Sequence, residues 1–419
     1  MFNLQNFNWR KILMIVAFIG IVIVVGYLLY SLFFKQAAPV TPITRVTPTG
    51  QLPSAITGKQ PGVTTGEQAA TGKLPSEKIL KIPAPAGEKI DAVAQGRVTK
   101  TYDLSYDKTT SMALSGDGKN MNTYNPDTGQ FYQIDANGDK IALTDKIYKN
   151  VENVAWAPKN NQAILEFPDG SNVLYNFKTD KQITLPKDWT EFQFNNDGSK
   201  IAFKDMNEYS SSRWLAMANP DGSGQKYLEP MGDEANNFIV NWSPSGSVVA
   251  EYKAGADADT SKLIFVGQHG ENIKALPING YNVDLQWTPD GNRMLYSASN
   301  FQSDNKPLLN VVDASGNNIG YNQQSLGLNT WASKCAFADS STVYCAVPKE
   351  LPYGVDFVPE LADSVPDYIY KVDLQTGVKS FVAEPEYSYT INKMAVSSDG
   401  NTLYFTDNYA NALHSIKLK

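Results

Sequence analysis

Trp287-Thr288-Pro289-Asp290-Gly291 is the stretch that decides the fold, because it recurs. Trp242-Ser243-Pro244-Ser245-Gly246 is a close copy. Leu114-Ser115-Gly116-Asp117-Gly118, Phe194-Asn195-Asn196-Asp197-Gly198 and Val396-Ser397-Ser398-Asp399-Gly400 keep the frame and the final glycine. Trp156-Ala157-Pro158-Lys159-Asn160 and Phe337-Ala338-Asp339-Ser340-Ser341 are worn versions. The seven copies are spaced by roughly forty to sixty residues, the period of propeller blades.

Each copy sits inside the same grammar. A short apolar strand leads into it, as in Val283-Asp284-Leu285-Gln286-Trp287, and a second follows, as in Arg293-Met294-Leu295-Tyr296. A third comes next (Asn172-Val173-Leu174-Tyr175-Asn176-Phe177; Leu263-Ile264-Phe265-Val266). After another turn comes a fourth: Lys140-Ile141-Ala142-Leu143-Thr144, Gln182-Ile183-Thr184-Leu185 or Asn272-Ile273-Lys274-Ala275-Leu276. Four antiparallel strands per repeat make one blade. Pro-Asp-Gly supplies a preset φ and a tolerated positive φ to the first hairpin. The aromatic closing the first strand is read as inter-blade core. The expected fold class is therefore all-β: a seven-bladed propeller of four-stranded antiparallel blades over residues 89–419.

These repeats resemble the WD40-like, TolB-type (PD40) β-propeller repeats of bacterial envelope proteins. That family's signature is a Trp-Ser-Pro-Asp-Gly-type hairpin followed by a Lys-x-Ile-Ala-Phe-type strand. Trp287-Thr288-Pro289-Asp290-Gly291 and Asp197-Gly198-Ser199-Lys200-Ile201-Ala202-Phe203 carry the likeness best, and it covers about residues 90–419. It implies a binding scaffold and no residue-level role, since the motif is structural. The chain departs from TolB itself in its membrane-anchor segment and in lacking a separate α/β domain before the propeller.

Ahead of the repeats the chain changes character twice. Residues 12–34 contain no charge. As a helix they would span about 35 Å at ~1.5 Å per residue, enough for a hydrocarbon core of ~30 Å. A single transmembrane helix is expected there, the rival being a cleaved signal peptide, whose apolar region is shorter. Arg10 and Lys11 precede the segment, and Lys35 alone follows closely. That bias puts residues 1–11 in the cytoplasm and the propeller outside, in the periplasm or at the cell surface. Residues 35–88 are rich in Pro, Thr and Gly and lack apolar periodicity, so they read as a flexible linker.

Composition narrows the function classes. Of 419 residues 42% are hydrophobic and 11% aromatic, and the net charge is −7. An acidic surface argues against nucleic acid, whose phosphates need a basic one. Two histidines, His269 and His414, are too few for a His-built metal site. Asp135-Ala136-Asn137-Gly138-Asp139 and Asp257-Ala258-Asp259 alternate like calcium loops but lack the required glycine and bidentate glutamate. No nucleophile elbow, P-loop or dinucleotide fingerprint occurs. No catalytic residue, metal or cofactor is therefore assigned.

Three features carry finer expectations. Cys335 and Cys345 flank the turn of the sixth repeat and should face each other across the hairpin, as a disulfide in an oxidising compartment or as two buried thiols. Residues 97–104 form a spare strand. The seventh repeat ends on its third, so this strand should complete the last blade and remove its open edge. Loops between second and third strands lengthen in repeats three to six (204–213, 253–262, 299–307, 347–367). All of these emerge on one face. The last carries Tyr353, Asp356, Phe357, Glu360 and Asp363, a mixed aromatic and acidic set suited to protein or sugar binding; the alternative is neutral loop drift over the channel. The expected role is a membrane-anchored scaffold binding an envelope protein or cell-wall polymer. The alternative is a propeller enzyme or lectin-like protein acting on envelope glycans.

Overall fold

The computed structural model describes residues 89–419 except 159–160 and 256–258, together with Phe18, Gly20 and Val24. The expected cytoplasmic terminus, spanning segment and linker otherwise lie outside the described residues. Among the described residues no helix is long and apolar enough to cross a membrane.

The recurring hairpin folds as its composition requires. Thr288 Oγ1 donates to Asp290 Oδ1 at 2.6 Å, and the Asn292 amide donates to the same carboxylate at 3.1 Å. The Gly291 amide returns to the Thr288 carbonyl at 2.8 Å. Gly291 has φ +68°, and a Cβ there would lie 2.5 Å from the Ser245 nitrogen in the preceding blade's turn. Glycine is thus required both by the backbone conformation and by blade packing.

Seven sheets result. Blade 1 runs through Ser111–Leu114, Met121–Asn125, Gln130–Ile134 and Lys140–Ala142. Blade 2 runs through Asn153–Trp156, Gln162–Glu166, Asn172–Asn176 and Lys181–Leu185. Trp189–Phe194, Ile201–Asp205, Trp214–Ala218 and Lys226–Pro230 make blade 3; Phe238–Val240, Ala250–Gly255, Thr260–Val266 and Leu276–Asn279 make blade 4. Blade 5 consists of Tyr281–Trp287, Arg293–Ser299, Leu308–Asp313 and Gln324–Asn329. In blade 6 the strands are Cys335–Phe337, Thr342–Pro348, Asp367–Asp373 and Lys379–Pro385. Blade 7 draws Ile391–Val396, Thr402–Asp407 and Leu413–Lys417 from the end of the chain, and Tyr102–Ser105 from its beginning.

The core lies between blades. Trp287 is buried with Phe265 of blade 4, ring centroids 5.7 Å apart, and Phe194 of blade 3 is buried in one cluster with Ile164 and Leu174 of blade 2. Rows of aromatics at the ends of first strands are therefore packing, as their periodicity implied.

Closure differs in detail from the expectation of one strand over 97–104. Arg97–Thr99 pairs in parallel with the fourth strand of blade 6, as a fifth strand. Only Tyr102–Ser105 pairs antiparallel with Leu413–Lys417 to complete blade 7. One short segment thus staples two neighbouring blades. Two further expectations are corrected. The fourth strand of blade 4 is Leu276–Asn279, not 272–276. Pairing in the hairpin of blade 4 continues through Gly255↔Ser261, so much of the expected 253–262 loop is strand.

Cys335 and Cys345 are direct cross-strand partners with a Cα–Cα distance of 4.0 Å and are joined as a disulfide. Asp135 accepts the amides of Asn137 and Asp139, each at 2.9 Å, and so closes the ordinary turn before a fourth strand. Asp257 lies outside the described residues.

Candidate functional site

In this topology the second-to-third loops and the blade-to-blade links share one face. The described propeller has nine exposed aromatics, and six of them (Tyr106, Tyr209, Phe301, Tyr353, Phe357 and Tyr409) stand on that face. Exposed aromatic side chains cost solubility unless a partner covers them, so their concentration marks this face rather than the opposite one.

The long loop of blade 6 is docked onto blade 5. Tyr281 donates to Asn305 Oδ1, and Asn305 Nδ2 donates to the Tyr353 hydroxyl at 2.9 Å. The Tyr281 ring stacks on Phe357 with centroids 5.5 Å apart, and Asn282 Nδ2 donates to the Asp356 carbonyl at 3.0 Å. Beneath the loop Leu351, Val355 and Ala362 form a small core against Trp331. The loop is thus a built platform with its own apolar anchor.

The structure separates the five residues singled out from the sequence. Tyr353 and Phe357 are 70% and 61% exposed and lie together over the Tyr281–Asn305 contact. Glu360 and Asp363 are exposed on and just after the short 3-10 helix Pro359–Ala362. Asp356 is buried, with one carboxylate oxygen unpaired among the described residues, and burial raises its pKa. Asp367, at the end of the same loop, is not part of the surface. It is buried in an ion pair with Lys334 Nζ at 2.8 Å and accepts the Ile391 amide of blade 7 at 2.6 Å.

The channel mouth on the same face was not legible beforehand. First strands of blades 3, 5 and 7 each carry a register shift at their loop-face ends, between Thr190 and Gln193, Tyr281 and Asp284, and Ile391 and Lys393. Such bulges re-aim side chains at the rim of a barrel or channel. Glu191, at φ +56°, pairs with Lys204 Nζ at 2.7 Å and donates its amide to Glu166 at 3.0 Å. Burial raises the pKa of Glu166 and lowers that of Lys253. Asp284 accepts the Ser333 amide at 2.7 Å. Carboxylates and ammonium groups of several blades therefore meet at these strand ends, and Glu166, Lys253 and Asp284 each bond to a neighbouring blade. Asn282, at φ +51°, is the only one of these positions whose residue type hinted at a left-handed conformation. Among the described residues no group of three or more His, Cys, Asp or Glu side chains is placed to hold a metal ion.

No family model matches the chain, and no curated protein matches it by sequence. Solved structures do match in fold. The chain is similar to the β-propeller domain of Cps50 (Swd1) from Myceliophteria thermophila, at 11% identity and TM-score 0.52, covering 76% of this chain and 100% of that one. It is also similar to hydrazine synthase of Kuenenia stuttgartiensis, at 12% identity and TM-score 0.50, covering 75% of this chain and 96% of that one. At such identities the likeness concerns architecture alone: the chain is a seven-bladed β-propeller of four-stranded antiparallel blades.

Proposed function

We propose that this protein is a membrane-anchored scaffold of the cell envelope whose propeller stands outside the membrane and binds a protein or wall polymer through its loop-rich face. The carrying observation is the asymmetry of exposed aromatics, six of nine on that face, with Tyr353 and Phe357 fixed on a platform that has its own core. A prearranged aromatic pair lowers the ordering cost of binding. The uncharged stretch 12–34 and the basic residues before it support the anchor and its orientation. The disulfide between Cys335 and Cys345 is in keeping with an oxidising compartment.

The test is crosslinking and capture from intact envelopes, comparing wild type with a Tyr353→Ala/Phe357→Ala double variant. A stoichiometric partner lost from the variant is the expected result. A partner retained by the variant overturns the assignment of the face; no partner at all overturns the scaffold reading and favours the glycan-active alternative. Replacing residues 353–367 wholesale is unsuitable, because it removes Asp367 from its buried pair with Lys334.

A further inference from the structure

A groove of about 430 Å³ lies between the outer strand of blade 5, Gln324–Asn329, and the outer part of blade 6. Leu328 and Val347, both buried in the cluster that the two blades share, line it on the inside. None of the lysine, tyrosine, asparagine or glutamate residues that line it is buried. Lys379 Nζ crosses from blade 6 to the Gly327 carbonyl of blade 5 at 2.5 Å. Lys306, Asn329, Lys349 and Glu350 stand where strands end at the loop-rich face, so the groove reaches that face.

Its charge runs against that of the molecule. The chain carries a net −7, yet three lysines line the groove with one carboxylate, Glu350. Lys349 is paired with Glu384 and lies over the Tyr368 ring, 4.8 Å from its centroid. Lys379 meets only a carbonyl, and Lys306 Nζ has no partner among the described residues. Three ammonium groups against the carboxylates of Glu350 and Glu384 leave the site positive. Tyr368 and Tyr370 project from one face of their strand. Tyr370 lies opposite Phe381, with ring centroids 5.6 Å apart. Neither phenol hydroxyl has a partner among the described residues.

We propose that this groove binds an acidic sugar chain. A sugar ring presents an apolar C–H face to the tyrosine rings, and its hydroxyls meet the phenols and the Asn329 carboxamide. Its carboxylate or phosphate meets Lys306 and Lys379 through charge-assisted bonds. Partly exposed rings, a few placed polar groups and a volume within the range of small-ligand sites are what such recognition needs. Nucleic acid is disfavoured, because the rest of the molecule is acidic and repels a long run of phosphates. The groove is separate from the Tyr353–Phe357 platform, and the proposal does not rest on that platform.

The test is calorimetric titration of the full-length protein with two sugars, a hexasaccharide of uronic acid residues and a phosphorylated hexasaccharide. Saturable binding of at least one is expected, and the tighter of the two names the anion. The carboxyl-reduced, neutral hexasaccharide and a hexaglutamate peptide should each bind at least about tenfold more weakly, the worth of one charge-assisted bond. Lys306→Ala should weaken binding by about the same factor, and Tyr368→Phe, which keeps the ring, by less. Lys371→Ala is the control: Lys371 is exposed on the other face of the same strand and should not matter. The Tyr353→Ala/Phe357→Ala protein should also bind as wild type, so failure here and failure of the platform reading are told apart. Absence of binding, equal binding of the neutral sugar, or full affinity in Lys306→Ala each overturns the proposal. So does equal or tighter binding of hexaglutamate, which would make an acidic peptide the occupant. A matching loss in Lys371→Ala or in the platform variant would place the contact elsewhere and overturn it too. Lys306 is partly exposed, and thermal melts check that each variant keeps the fold.

Discussion

Asp103 and His414, 311 positions apart in the chain, meet at 2.9 Å between the closing strand and blade 7. The other imidazole nitrogen faces Asp407 at 3.1 Å. Carboxylates on both nitrogens favour the doubly protonated ring, which can donate to each. Tyr389 packs against the ring with centroids 4.6 Å apart, and the Tyr106 hydroxyl donates to the other Asp103 oxygen at 2.9 Å.

The first prediction concerns this closure. Burial alone would lower the His414 pKa, but the bonds to Asp103 and Asp407 outweigh it and raise the pKa. The stabilisation is therefore complete below the unfolded value near 6.5 and is lost as pH rises through the folded value. Thermal melts should show Tm falling as the medium becomes alkaline. His414→Gln should make that slope shallower and cost roughly 3 kcal/mol, as loss of one partner from a buried charged pair does. An unaltered slope in the variant would place the titration elsewhere.

The second prediction separates the two halves of the staple. Removing residues up to Thr101 takes away the parallel fifth strand of blade 6 and should lower Tm by only a few degrees. Removing residues up to Ser105 also uncovers the edge of blade 7 and removes Asp103, so the loss should be several times larger. A control deletion of 60–67 should leave Tm unchanged. Equal melting for the 60–67 and 97–104 deletions would refute closure by this segment.

A buried acid supplies the third. Glu251 is wholly buried and accepts the indole N–H of Trp287 at 2.9 Å; burial pushes its pKa up to about 8. The folded protein thus keeps a proton that the unfolded chain releases near pH 4.5. Its contribution to stability is full below that value and declines until the folded group ionises near pH 8. Glu251→Gln should flatten the stability profile across this window, as read from denaturant midpoints at several pH values. A profile as steep as wild type would show that Glu251 is not the titrating group.

The disulfide gives the fourth. The bond joins positions separated by ten residues, so the chain-entropy account gives it at most about 3 kcal/mol. Cys335→Ser/Cys345→Ser should lower the denaturant midpoint by that order while leaving the far-ultraviolet circular dichroism intact. Unfolding of the double variant at room temperature would assign the bond a larger role than pinning register.

Asp367 gives the fifth. Its carboxylate meets Lys334 and the Ile391 amide, joining blade 6 to blade 7. Asp367→Ala leaves a buried ammonium unpaired and should cost about 3–5 kcal/mol. Glu360→Ala and Asp363→Ala, exposed on the same loop, should change stability by less than about 0.5 kcal/mol. Comparable losses for all three would contradict the burial contrast.

The recurrence from Leu114-Ser115-Gly116-Asp117-Gly118 to Val396-Ser397-Ser398-Asp399-Gly400 determined the blade count, strand order and first hairpins by itself. Turn chemistry and strand alternation are local, and Gly291 must be glycine whatever surrounds it. The pairing of Cys335 with Cys345 was legible for the same reason, since one hairpin sets both positions. Tertiary structure alone decided the rest. Whether 97–104 forms one strand or two depends on which blade edges lie beside it. Asp356 and Asp367 lie in one acidic, aromatic loop, and only packing against Trp331, Lys334 and Ile391 distinguishes them from exposed Glu360. Asn272-Ile273-Lys274-Ala275-Leu276 has strand composition, but a turn at Glu271 carries it off the edge. The channel mouth joins Glu166, Glu191 and Lys204 from separate strands. Such juxtapositions arise from ring closure, and no spacing along the chain encodes them.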